Sequence, residues 1–296
     1  MVKGRPSDFY FSPEGKMHEL HRERILVLFG GQRALLMQLA HPLVNQGVLD
    51  YSSVRKNPLK RLTRTIELTH TLIFGTNEEV AAAAKKINRV HKAVKGNLNQ
   101  EVGAHNAGTS YHAQDPELLM WVWATLIDTG VIVFEKFIRT LSDVEKESYY
   151  QEAKKLLPPL GGKIEITPTT YKDLATYLTT MYKSKKVMVS EDAKKELAPY
   201  LLLKKPRHLK LPLLPLSLPL IKITIGLLPE ELRKQYGLSW TNADQKIFDA
   251  FAASSRKIHT SRLSKLVPDT IRFSIHYRKA LQKYIREGNT LRRKTT

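Results

Sequence analysis

Apolar residues recur at helical spacing along most of the chain, and no convincing run of strand-like alternation interrupts them. Ser12 and Pro13 open a first segment whose apolar side carries Leu20, Ile25, Leu28 and Phe29, and the pair Gly30-Gly31 is expected to end it. The next segment, RALLMQLAHPLVNQGV, is apolar on most faces, which predicts a buried helix kinked at Pro42 just after His41. Pro58 suits a first helical position. The helix it starts, with KRLTRTIELTHTLIF, stops at Gly75 and sets Arg61 and Thr65 four apart on one face. Thr76 with Glu79 matches a capping box, so a further helix folds back after a one-residue turn and runs to Gly96.

Asp115 and Pro116 open the most apolar segment, LLMWVWATLIDTGVIVF. Its seventeen residues from Leu118 to Phe134 barely reach spanning length, and Asp128 inside it would cost about 2.5 to 3.5 kcal/mol near a bilayer centre. A core helix is therefore expected. Further helix starts fall at Ser142 with Glu145, at Thr167 with Pro168, and at Ser190. Residues 204–229 carry Pro at 206, 212, 215, 219 and 229 with Leu and Ile between. That spacing predicts an extended apolar connector packed across the helical body and flanked by Lys204, Lys205, Arg207 and Lys210. Helices near Asn242–Ile258 and Asp269–Glu287 follow, then a basic tail, 289–296. The predicted fold is all-α, a single multi-helix domain over residues 1–288.

Composition narrows the chemistry. Of 296 residues, 42% are hydrophobic and 26% charged, close to the globular average, which excludes a wholly disordered or collagen-like chain. Lys and Arg outnumber Asp and Glu by 48 to 28, a net +20 that favours anionic partners such as a membrane surface or an acidic cofactor. Nucleic acid has only this charge in its support, with no helix-turn-helix or single-strand module, and is set aside. The absence of cysteine excludes a disulfide framework, a thiol nucleophile, thiolate-ligated haem and covalent CxxCH haem. Signatures of zinc proteases, P-loop NTPases, dinucleotide-binding folds and α/β-hydrolases are missing. No apolar stretch of signal-peptide length begins the sequence, so a cytoplasmic or peripheral-membrane location is expected.

Four side chains stand out. His91 falls on the apolar stripe of Val80, Ala84, Ile87 and Val94, so its imidazole should face the core, either as a neutral buried histidine or as an axial ligand to haem iron. Arg61 and Thr65 lie on the preceding helix, where they could flank a porphyrin or, with Lys60 and Arg64, form a solvated basic face. His41 is a second core-directed imidazole, beside the Pro42 kink. His18 and His21, three apart among Arg22 and Arg24, read as a surface face rather than a metal pair. Tyr111, Trp121 and Trp123 could stack on a ring system or fill the core.

The stretches GGQRALLMQLAHPLVNQGV, RLTRT, INRVHKAVKG, YHAQDPELLMWVWATLID with FEKF, and FDAFAA with IRFSIHYRKAL together resemble the catalytic domain shared by rubber oxygenase (latex clearing protein) and the ER-bound oxygenase of mycophenolic acid biosynthesis. That resemblance implies an all-helical domain with a globin-like buried pocket for non-covalent haem b, and oxygen-dependent cleavage of carbon–carbon double bonds. It places His91 as the iron ligand and Arg61 and Thr65 beside the haem. Two positions depart from the pattern: Asn45 stands where rubber-cleaving members carry a glutamate base, and Trp123 where the family often has histidine. The expected function is a haem b-dependent oxygenase acting on an apolar, isoprenoid or lipid, substrate, with dioxygen at the iron and His41, Arg61 and Thr65 around it. The rival from another class is a non-catalytic basic helical protein that docks on anionic membranes.

Overall fold

Local capping fixes where several of the longer helices start. Thr76 and Ser142 each accept the backbone N–H three residues on, while Glu79 and Glu145 accept the cap N–H in return. The computed structural model describes residues 9–51, 58–202 and 214–292. In chain order these form α1 (Lys16–His21), a π-helical turn (Leu26–Gly30) running straight into α2 (Gly31–Leu39), then α3 (Pro42–Tyr51), α4 (Pro58–Phe74) and α5 (Asn77–Ala93). After a two-stranded antiparallel ribbon, β1 (Lys95–Asn97) and β2 (Ser110–His112), come α6 (Pro116–Phe137), α7 (Asp143–Lys154), α8 (Tyr171–Lys183) and α9 (Ala198–Leu201). The chain continues through α10 (Leu214–Leu227), α11 (Glu230–Gln235), α12 (Asn242–Thr260), α13 (Asp269–Arg272) and α14 (Ile275–Arg292). The fold is all-α apart from the ribbon.

Helix α6 is the hub. Asp115 caps it by accepting from the Glu117 N–H, and Trp121, Ala124, Val131 and Phe134 along it are buried against α1, α2, α8 and α12. It is long and apolar enough to cross a membrane, yet 67% of its apolar window is buried within the protein, as a core helix requires. The charge inside it is also accounted for: the Asp128 carboxylate accepts from the Arg33 guanidinium at 2.7 Å. Gly130 lets α7 approach α6, since a Cβ there would collide with Tyr149 Oη, which is itself hydrogen-bonded to His21 at 2.9 Å. Gly130→Ala should therefore cost about 1 to 3 kcal/mol through overpacking, read as a lowered denaturation midpoint. An unchanged midpoint would mean that the two helices separate freely.

Several expectations need correction. Gly30-Gly31 does not stop a helix: both residues are right-handed helical, and Gly30 lies where a Cβ would be 3.2 Å from Thr129, so Gly30 serves close packing on α6 while Gly31 faces open space. Leu28, expected on the apolar side, is 52% exposed. The chain breaks rather than kinks at Ala40-His41 before α3. Helix α8 starts after Thr170, whose side chain accepts from the Asp173 N–H, and not at Thr167. Of the connector, residues 203–213 lie outside the described residues, while 214–227 are helical rather than extended. Pro215 sits in the first turn, where no backbone donor is needed, and Pro219 forfeits one bond. Burial of Ile221, Ile223, Ile225 and Leu227 offsets that loss, so the expected packing across the body holds even though the conformation differs. Helix α14 extends to Arg292, into the segment read as a tail.

Candidate functional site

The site is built where the α2–α3 break meets the open end of the α4–α5 hairpin. A turn at Gly75-Thr76 folds α5 back along α4. Arg61 and His91 lie fourteen and fifteen residues from that turn, about 20 Å along their helices at 1.5 Å per residue, and so occupy the same end. At that end, Leu35, Leu39, Val44, Val48, Leu197 and Leu201 form a small apolar cleft open to solvent, with room for about 40 Å³ and with Gln38 and Arg61 as its polar members. Ligand sites of this kind are apolar with few polar groups to orient what binds. A globin-like enclosed pocket is not what these residues form.

Burial sets the electrostatics. Desolvation holds the Arg61 guanidinium below its ordinary pKa, and among the described residues no carboxylate is paired with it. An unpaired, partly desolvated guanidinium is an anion acceptor. His91 is half-buried; desolvation lowers its pKa, and its Nδ1 is buried with no hydrogen-bond partner. The imidazole is therefore neutral, with a lone pair available. Thr65 is exposed, and its hydroxyl donates to the Arg61 carbonyl at 2.9 Å, a bond within its own helix.

His41 and Asn45 make a second polar pair at the start of α3, one turn apart. His41 is buried, its ring centroid 5.2 Å from that of His105 and 6.4 Å from Trp121. Desolvation, reinforced by His105 and Lys186, pulls its pKa down to about 3. Asn45 donates to Ser190 Oγ at 3.1 Å. His41 Nδ1 and Asn45 Oδ1 are both buried without a partner, an uncommon state for buried polar atoms and a sign of a place for a small polar guest.

Other candidates are occupied. Tyr111 is buried and donates its hydroxyl to Asp50, fixing α3 to β2, so it does not face the cleft as a substrate-stacking residue would. Trp121 and Trp123 are core side chains whose indoles donate to the carbonyls of Gln38 and Ala153. His18 and His21 are not a surface face: His18 is 3% exposed with Nε2 on the Ile73 carbonyl, and His21 meets Tyr149. The Arg33 anchor to Asp128 and Thr129 went unremarked in the sequence, because its partners lie some 95 residues away.

The residues present suit haem b in donor chemistry. A neutral imidazole with an orphaned nitrogen is available as an iron ligand, and an unpaired guanidinium at the same end of the hairpin could meet an anionic porphyrin edge. His91 is not among the residues that line the cleft.

A family model described as ER-bound oxygenase mpaB/B'/rubber oxygenase, catalytic domain, matches residues 18–257. The chain belongs to that family. The match runs from α1 through most of α12 and therefore contains the whole site. Among curated proteins, uncharacterized proteins of Mycobacterium bovis and Mycobacterium tuberculosis are each 32% identical over 126 residues, 41% of this chain and 47% of theirs. The chain thus spans about half the length of these relatives. No solved structure matches. Membership of an oxygenase family supports an enzymatic role.

Proposed function

We propose that this protein is a haem b-dependent oxygenase acting on an apolar substrate. The observation that carries the proposal is the neutral, orphaned His91 imidazole placed at the same end of the α4–α5 hairpin as the unpaired Arg61, inside a domain of the oxygenase family. When bound, haem b would supply the iron at which dioxygen is activated against an unsaturated carbon chain. His91 would hold the iron through its ring lone pair, and Arg61 would neutralise an anionic group at the cofactor edge. Leu35, Leu39, Val44 and Val48 would offer an apolar wall for the chain to lie against. Asn45 carries no titratable group, so it cannot take up a proton as a carboxylate would. His41, one turn earlier, is held neutral with its pKa pulled down to about 3, so it enters the site as a neutral polar group and not as a strong proton acceptor.

The test is absorbance spectroscopy of protein expressed with added haem. A Soret band is expected, and His91→Ala should lower haem occupancy at least about tenfold while leaving the far-ultraviolet circular dichroism unchanged. Haem-free wild-type protein, or a His91→Ala variant that keeps its full Soret band, overturns the assignment.

A further inference from the structure

Helix α12 buries Phe248, Ala252 and Ser255 against α6 and α10 and leaves one flank uncovered. At about 100° per residue, Ile247, Phe251 and Ile258 fall within about 40° of one another on that flank. They are 67, 36 and 40% exposed. The flank faces the π-helical turn, because the Phe251 ring lies 6.0 Å from that of Phe29, and the neighbouring Leu28 is itself exposed. Farther along, His259 Nε2 lies 3.9 Å from Glu23, so α12 runs antiparallel beside residues 23–29 and the apolar band continues along it.

Among the described residues, the unpaired charges on the outward back of α12, next to this band, are lysines. Lys246 and Lys257 fall within about 20° of each other on the outward back of α12, bordering the band. Of the two carboxylates on the helix, Asp244 is paired with Lys222 and mostly buried, while Asp249 projects from the opposite flank. A stripe of Ile, Phe and Leu bordered by lysines whose stems can lie along it is the pattern of a helix lying in a bilayer interface. The net charge of +20 adds long-range attraction to anionic headgroups.

We propose that this face, Leu28 with Ile247, Phe251 and Ile258 of α12, is a docking surface for anionic phospholipid membranes. The assignment is independent of the cofactor and goes beyond the oxygenase reading: it would bring the molecule to a reservoir of lipid-soluble substrate.

The experiment is co-sedimentation of the full chain with vesicles of phosphatidylcholine alone and of phosphatidylcholine with phosphatidylserine, paired with sedimentation velocity without lipid. Binding should require phosphatidylserine and weaken as salt rises. Ile247→Asp with Ile258→Asp, both exposed and compatible with an intact fold by circular dichroism, should weaken partitioning about tenfold or more. Lys246→Glu with Lys257→Glu should selectively reduce the dependence on phosphatidylserine. Equal binding by the Ile247→Asp, Ile258→Asp variant overturns the assignment. So does a lipid-free dimer that this variant dissolves, which would make a second copy of the chain the occupant of the face. The Soret band should be the same in all these variants, so failure here is distinguishable from failure of the haem assignment.

Discussion

Arg33→Met is expected to destabilise the protein by about 3 to 5 kcal/mol, the cost typical of removing one partner from a buried ion pair. Arg33 is 3% exposed, and all three guanidinium nitrogens are engaged. Nε donates to the Leu227 carbonyl at 2.8 Å, Nη1 to Thr129 Oγ1, and Nη2 to the Asp128 carboxylate at 2.7 Å. One side chain thus joins α2 to α6 and to the end of α10. Without it, a largely buried carboxylate loses its counter-charge and a carbonyl loses its donor, and each loss carries the desolvation penalty of the group left behind. Arg33→Lys keeps the charge but cannot span three acceptors in a planar fork, so an intermediate loss is expected. Arg33→Met combined with Asp128→Leu should recover most of the stability, since it removes both desolvated charges together. Denaturant unfolding at pH 7 reads all three variants. A single variant within about 0.5 kcal/mol of wild type would show that the pair contributes nothing measurable.

What the sequence could and could not disclose follows the distance over which each interaction acts. The capping boxes at Thr76 and Ser142 are closed by residues three positions on, so their helices begin where expected. Arg61 and His91 could be brought together from helix lengths and a one-residue turn alone, and the hairpin does place them at one end. Tyr111 could not be assigned that way, since Asp50, which takes its hydroxyl, lies 61 residues earlier. His18 and His21 were misread because Arg22 and Arg24 suggested a wet surface. Their burial comes instead from Ile73 and Tyr149, 55 and 128 residues away. The prolines of 214–227 mislead for a different reason: local preference against a helix is overridden by a row of isoleucines that find a core to enter. The resemblance assigns His91 and Arg61 to a haem site, and the hairpin sets both at one end, His91 with an orphaned Nδ1 and Arg61 with no carboxylate paired to it among the described residues.

The second large effect is on acid stability. Desolvation lowers the pKa of three buried histidines from 6.5: His18 to about 4, His41 to about 3 and His70 to about 4. The ring of His70 also stacks on that of His276 at 4.3 Å, so protonating both would set like charges in contact. Below pH 6.5 the unfolded chain takes up protons that the folded chain refuses, so ν is larger in the unfolded state and stability falls as pH falls. The loss begins near the unfolded pKa and continues down to the folded ones. Between pH 7 and pH 5 each histidine should remove about 2 kcal/mol, and the three together about 6, comparable to the whole stability of many domains. These three should give the slope about 4 kcal/mol per pH unit in mid-window, the value for three protons, and His21, also pulled down to about 3, adds a fourth. Urea unfolding at closely spaced pH values measures it. His18→Gln or His70→Gln should each reduce that slope by about a quarter, whatever it costs at pH 7, because a glutamine has no proton to gain on unfolding. Stability that stays level from pH 7 to pH 5 would mean that these rings are reached by water in the folded protein and titrate as they do in the unfolded chain.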